Sequence, residues 1–365
     1  MVSWQQGVAW VVVLGLVGPA WAWQGQVREL PAVPLRLPPP QLFIGPRFEK
    51  ARPFREGLAA VQHNGQWGFI NRQGNWVIPP QFAQVWDFRE GLAPAAQGSQ
   101  WGFIDRQGNW VIPPQFSRVH GFSGGRATVW LGERAGVVTA TGALVIPPQR
   151  FWAIGEFRQG RAAAMDRSGR WGFIDPEGNW LIPPRFSSAG SFSEGLAVVA
   201  LEGKRGYVNL AGELVIPPQF DSALAFSHGL GLVSLNGKWG FVDRIGQIAI
   251  PLRYDQAFSF AEGLAAVEEG GRLFYINAAG DPVLESPLNL GLGAALNFSD
   301  QLAPVAILGQ TEKWGYMDRS GQLVIPPHFE RVTFFSEGLA AVAIGDRWGY
   351  VAKGGHQEAD PAGLE

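Results

Sequence analysis

Apolar residues in this chain come in short runs, each closed by glycine, asparagine, aspartate or proline. Residues 57–82 show the pattern. Gly57-Leu58-Ala59-Ala60-Val61 is followed by His63-Asn64-Gly65-Gln66, and Asn-Gly between apolar runs is a strong hairpin signal because both residues accept positive φ. Trp67-Gly68-Phe69-Ile70 comes next, then the turn Asn71-Arg72-Gln73-Gly74, then Asn75-Trp76-Val77-Ile78. An Asx residue opens such a turn and glycine takes its left-handed position. Pro79-Pro80 stops ladder pairing, since proline has no N–H to donate. The pattern predicts a three-stranded antiparallel meander. Alternation puts Trp67 and Phe69 on one face and Gly68 and Ile70 on the other. The missing side chain at Gly68 predicts close approach of another backbone or ring.

The unit recurs. Trp-Gly appears at Trp67, Trp101, Trp171, Trp239, Trp314 and Trp348, with degenerate copies at Ala135, Arg205 and Leu273. Successive spacings are 34, 34, 36, 34, 34, 34, 41 and 34 residues. A Phe-x-x-Gly-Leu-Ala-like start, an Ile-Pro-Pro element and a turn glycine keep the same phase. Self-similarity at such a period marks a repeat architecture. The six tryptophans are expected to be its structural core, with truncation of Trp239 costing about 3–5 kcal/mol.

These motifs, Glu-Gly-Leu-Ala, Gln-Trp-Gly-Phe-Ile-Asp and Ile-Pro-Pro-x-Phe, resemble the WG-repeat (KWG-repeat) family of bacterial proteins over about residues 43–352. The resemblance implies a structural interaction module and carries over no active site. The fold expected is all-β, with about nine meanders in an open or superhelical array, because propellers usually have 4–8 blades of four strands. The alternative is a closed propeller-like toroid. Phe43-Ile44-Gly45-Pro46-Arg47-Phe48 matches a third-strand element with no earlier strands, and the last copy lacks that element, so the two could complete one unit.

Ahead of the array, Val8 to Val17 is apolar and Ala20-Trp21-Ala22 forms an A-x-A site. Residues 1–22 are therefore expected to be a cleaved signal peptide. Val8 to Trp23 falls short of the ~20 residues that span a bilayer, so no stable span is expected after cleavage. Residues 23–42 read as a proline-rich spacer, 43–355 as the array and 356–365 as a disordered tail. The expected location is periplasmic or extracellular.

Composition narrows the chemistry. Net charge is −2 with no basic run, which argues against nucleic-acid binding. There is no cysteine, so disulfides, thiolate catalysis and cysteine-ligated metals are excluded. Hydrophobic residues at 46% argue against a disordered chain despite 49 glycines and 27 prolines. His63, His120, His228, His328 and His356 sit at unrelated repeat positions, so neither metal nor cofactor is expected. The acidic column Glu56, Glu90, Glu194, Glu262, Asp300 and Glu337 recurs with the fold. It reads as turn residues capping backbone N–H groups rather than one catalytic constellation. Trp76, Trp110 and Trp180 form a second aromatic column that could stack on sugars, although Leu144, Leu214 and Ile248 substitute there as packing would allow. The spacing of 41 holds extra residues at Glu285 to Leu296 and Leu308 to Glu312, where a partner site is expected. The function expected is an exported, non-catalytic, monomeric scaffold for a protein or envelope polymer. The alternative is a carbohydrate-binding protein using the second tryptophan column.

Overall fold

The computed structural model describes residues 40–285, 297–307 and 313–354. The expected signal peptide, nearly all of the spacer, the tail and most of both expanded stretches lie outside the described residues. The described chain is strands and turns without a helix.

Among the described residues nine antiparallel sheets follow one another as the blades of a β-propeller, eight of them four-stranded and one three-stranded. Blade 1 orders its strands Lys50–Ala51, Ala59–His63, Gln66–Ile70 and Trp76–Phe82. The expected meander is its last three strands. The additional first strand is only two residues long, too short to leave a periodic signal. Asn64 (φ 50) and Gly65 (φ 75) make the expected left-handed hairpin turn.

The ring is closed, which corrects the open array expected first in favour of its alternative. The strand Ile44–Phe48 pairs with Arg347–Ala352, matching Ile44 to Tyr350 and Phe48 to Trp348. It thereby supplies the fourth strand of blade 9. The stray N-terminal element and the incomplete last copy are two parts of one blade.

Thirty-four residues suffice for a four-stranded blade because the chain wastes none between blades. Only Ala83 separates the fourth strand of blade 1 from Gln84–Val85, the first strand of blade 2. That economy depends on Gly68. The register pairs Phe69 with Ile78 and Trp67 with Phe82, leaving the fourth strand two residues longer than the third between those pairs. The surplus backbone crosses directly over Gly68, where a Cβ would stand 2.5 Å from the Ile78 carbonyl oxygen and 2.8 Å from Pro80 N. The predicted close approach is therefore a backbone one, made by the Ile-Pro-Pro element itself. Blade 7 supplies the converse. Phe274 replaces the glycine, and its fourth strand stays in step past that point, pairing Phe274 with Glu285.

Nine buried apolar clusters each combine residues of two successive blades. Trp67 and Phe69 join the cluster shared with blade 2, whereas Ile70 joins the one shared with blade 9, as alternation predicts. The Asx-turn glycines of blades 1 to 7 each seat an isoleucine of the preceding blade. A Cβ on Gly108 (φ 88) would lie 2.9 Å from Ile78 Cγ2 of the preceding blade. Burial between neighbours is the main stabilising term in such an array.

The six expected core tryptophans sit at the margin of these layers. Trp67 is 8% exposed, while Trp101, Trp171, Trp239, Trp314 and Trp348 are half-buried. The deep core is the aromatic two residues on: Phe69, Phe103, Phe173, Tyr207, Phe241, Tyr275, Tyr316 and Tyr350 are at most 1% exposed. Each meets a phenylalanine of the next blade, as Phe69 meets Phe88 at 4.7 Å between ring centroids.

Candidate functional site

In six of the nine blades the turn ahead of the second strand begins with a residue of the acidic column, while Gly124, Gln159 and His228 stand there in the others. Glu56 (φ 51) and Gly57 (φ 77) are both left-handed, the geometry of a tight hairpin turn. The Glu56 carboxylate accepts from the backbone N–H groups of Glu90 and Gly91, at 2.7 and 3.1 Å, in the next blade. Glu90 accepts from Gly124 and Gly125, Gln159 from Gly195, Glu194 from Gly229, Glu262 from Gln301 and Asp300 from Gly338. Glu337 makes the same link across the closing junction by accepting from Gly57 at 3.0 Å. The column does cap backbone N–H groups, but those of the neighbouring blade. Serines below it do similar work: Ser336 Oγ donates to the Phe54 carbonyl at 2.7 Å.

The Asx column is committed within its own turns. Asp105 Oδ1 accepts from the N–H groups of Gln107 and Asn109, at 2.9 and 2.8 Å. Burial works against its charge, yet these bonds hold the carboxyl below the usual aspartate value.

The first strands line the axis. Arg89 of blade 2 passes over Gly121 of blade 3 and stands 3.5 Å from Glu156 of blade 4. A contact that skips a blade is possible only near the centre of a ring. Arg158 also reaches Glu156, at 3.0 Å. Asp87 stands 3.9 Å from Arg52, and burial raises its pKa against the pull of Arg52, Arg55 and Arg89. Burial likewise lowers the pKa of His120. On the far side, blades 5 to 7 place Ser191, Ser193, Ala225, Ser227, Ser259 and Ala261 at the corresponding positions. The axial channel is thus charged along one arc and small-sided along the other.

The family model for the WG containing repeat matches residues 41–67, 67–100, 101–132, 171–204, 206–239, 239–272 and 314–348, more than half of the chain. The chain belongs to the WG-repeat family. No curated protein sequence matches it. Among solved structures, a eukaryotic initiation factor resembles the WG-repeat ring with a TM-score of 0.59 at 14% identity, over 81% of this chain and 92% of that one. This likeness concerns the fold alone. BamB from Moraxella catarrhalis matches with a TM-score of 0.42 at 12% identity, over 71% and 93% of the two chains. The computationally designed Ika8 protein also has a TM-score of 0.42, at 10% identity, over 84% and 96%.

The second tryptophan column of the WG-repeat ring is spent largely on packing. Trp76, Trp110 and Trp180 meet Phe48, Phe82 and Phe151 of the preceding blade edge to face, at 5.8, 5.6 and 5.2 Å. Blade 3 has Leu144 there, so the three rings form no continuous strip. Among the described residues no three or more His, Asp or Glu side chains stand where they could share a metal. No helix among them is long and apolar enough to cross a membrane. The motif search missed the axial arc because Arg89 and Glu156 occupy different repeat positions. Its signal was the contrast of Arg89 and Arg158 with Ser193 and Ser227 in one column.

Proposed function

We propose that this WG-repeat ring is an exported, non-catalytic, monomeric scaffold that holds a protein or an envelope polymer. One observation carries the reading. The periodic carboxylates that could have served acid–base chemistry are tied into backbone N–H groups, Glu56 and Glu90 across blades and Asp105 within its turn. The working surface is then what departs from the repeat. The sequence features of residues 1–22 support export, and the net charge of −2 speaks against a nucleic-acid partner.

A carbohydrate reading that uses the second tryptophan column draws support from Trp76, which is 38% exposed. Affinity capture from the envelope of the producing cell tests the main reading. A partner recovered reproducibly on the ring and absent from a blank matrix is the expected result; an empty ring contradicts it. A glycan array with wild type and Trp110→Ala separates the second reading, which fails if no glycan is retained or if the substitution changes nothing.

A further inference from the structure

The repeat is broken twice at the junction of blades 3 and 4. Between Ala135 and Trp171 the spacing is 36 residues instead of the usual 34. One extra residue lies in the strand Leu144–Phe151, which has 8 residues where its equivalents have 7. The other lies in the following hairpin, where Met165 pairs with Trp171 across five residues, while Ala96 pairs with Trp101 across four. Both extra residues border one cavity of about 260 Å³, lined by Arg134, Pro148, Gln149, Phe151, Trp152 and Arg167.

Trp152 is the first residue after the strand Leu144–Phe151. The residue at this repeat position normally serves the hairpin beside it. Glu49 accepts from the Gly65 N–H, Asp221 from Asn236, Asp255 from Gly270 and Glu330 from Gly345. The longer blade 4 hairpin caps itself instead, Asp166 Oδ1 accepting from the N–H groups of Ser168 and Arg170. The position is thereby released from its structural duty, and it carries an indole that is 54% exposed. Two guanidinium groups flank it. Arg167 is steadied by donating to the Gln149 carbonyl at 2.9 Å, which leaves its other N–H groups available.

A flat aromatic face suits the apolar face of a pyranose ring, and guanidinium groups suit a carboxylate. The cavity is of a size for a single ring-sized group rather than a large ligand. We propose that the cavity around Trp152 binds a carboxylated sugar residue of an acidic polysaccharide, stacked on Trp152 and held at its carboxylate by Arg134 and Arg167. This rests on the scaffold reading above and names the envelope polymer in it.

The test is titration calorimetry of the full chain with tetragalacturonate, with maltotetraose and with inorganic phosphate. Saturable binding of tetragalacturonate alone is expected, weakened at least about tenfold by Trp152→Ala and similarly by Arg134→Gln with Arg167→Gln, but not by Trp110→Ala. Should Trp152→Ala fail to fold, the arginine variant carries the test. The proposal is overturned by absent tetragalacturonate binding, by equal binding of maltotetraose, by binding of phosphate alone, or by binding indifferent to both variants. Envelope capture that survives Trp152→Ala would overturn this site and leave the scaffold standing. Tetragalacturonate binding without any captured partner would do the reverse.

Discussion

Two junctions of the ring, blade 9 with blade 1 and blade 3 with blade 4, use the same positions to opposite effect. At the closing junction Tyr350 meets Phe54 with ring centroids 5.0 Å apart and its hydroxyl donates to the Arg52 carbonyl at 2.8 Å. Ser336 and Glu337 add their bonds to Phe54 and Gly57. The 3–4 junction has Val137 in place of the aromatic, Gly124 in place of the glutamate and Ala135 in place of the tryptophan. It keeps the serine bond, Ser123 Oγ to the Phe157 carbonyl at 2.6 Å. Buried Thr128 takes over the tyrosine's task by donating to the Gly155 carbonyl at 3.1 Å. The junction joining the chain's two ends carries the full set of fasteners. The junction held together by chain continuity has shed most of them, and it is there that the cavity opens.

The crossing glycines should divide the two junctions most sharply. A Cβ at Gly349 would stand 2.3 Å from the Ile44 carbonyl oxygen and 2.9 Å from Gly45 C, all backbone. At Gly136 the nearest atom is 2.8 Å away, and the next are the side chains of Pro148 and Leu144 at 3.3 and 3.4 Å. Gly349→Ala is expected to cost more than about 4 kcal/mol and Gly136→Ala about half of that, measured by urea unfolding. Equal costs would remove the distinction.

Side-chain truncation comes next. Tyr350→Ala should lose about 3–5 kcal/mol, and Val137→Ala about 2 kcal/mol. In a regular blade, Phe241→Ala should cost more than Trp239→Ala, since Phe241 is fully buried and Trp239 is not. The reverse order would restore the tryptophan as the centre of the core.

A smaller effect should follow Glu337→Gly, which gives the closing turn the residue that blade 3 has at Gly124 while tolerating the positive φ. Loss of about 1 kcal/mol is expected, again by urea unfolding; no loss would mean that the carboxylate ring fastens nothing.

The weakest dependence is on acid. The Ser168 hydroxyl holds the Asp166 carboxyl below its ordinary 3.8, and the ammonium groups of Lys204 and Lys238 do the same for Asp221 and Asp255. The unfolded chain then takes up protons first as pH falls. Their contribution is present above about pH 4 and is lost below it, as pH passes through the depressed folded values. The melting temperature should slip slightly below about pH 6.5, where the unfolded chain protonates His120 before the fold does, and decline further beneath about pH 4. A decline already complete at pH 5 would contradict these assignments.

Much of this architecture was legible in the sequence, and the reasons are local. Asn64-Gly65 and Gly74 announced their turns through backbone chemistry that needs no tertiary context. Gly68 announced a close approach. The two-residue first strands were silent, because two residues have no period, and without them the four-stranded blade and its closed ring looked unlikely to fit into 34 residues. Burial order was also hidden. Trp67 and Phe69 share a face by alternation, but only the neighbouring blade decides which of them lies deeper. The axial pairing of Arg89 with Glu156 depends on ring closure and has no signature within a single repeat.

The closed ring is the central claim, and its seam can be measured directly. The chain has no native cysteine, so spin labels can be confined to Lys50→Cys in blade 1 and Arg347→Cys in blade 9, both at exposed positions. Sheets packed face to face lie about 10 Å apart. With the label linkers added, pulsed electron resonance should give one narrow distance of about 20–30 Å. A broad distribution at the far longer separations of an open nine-unit array would contradict the account.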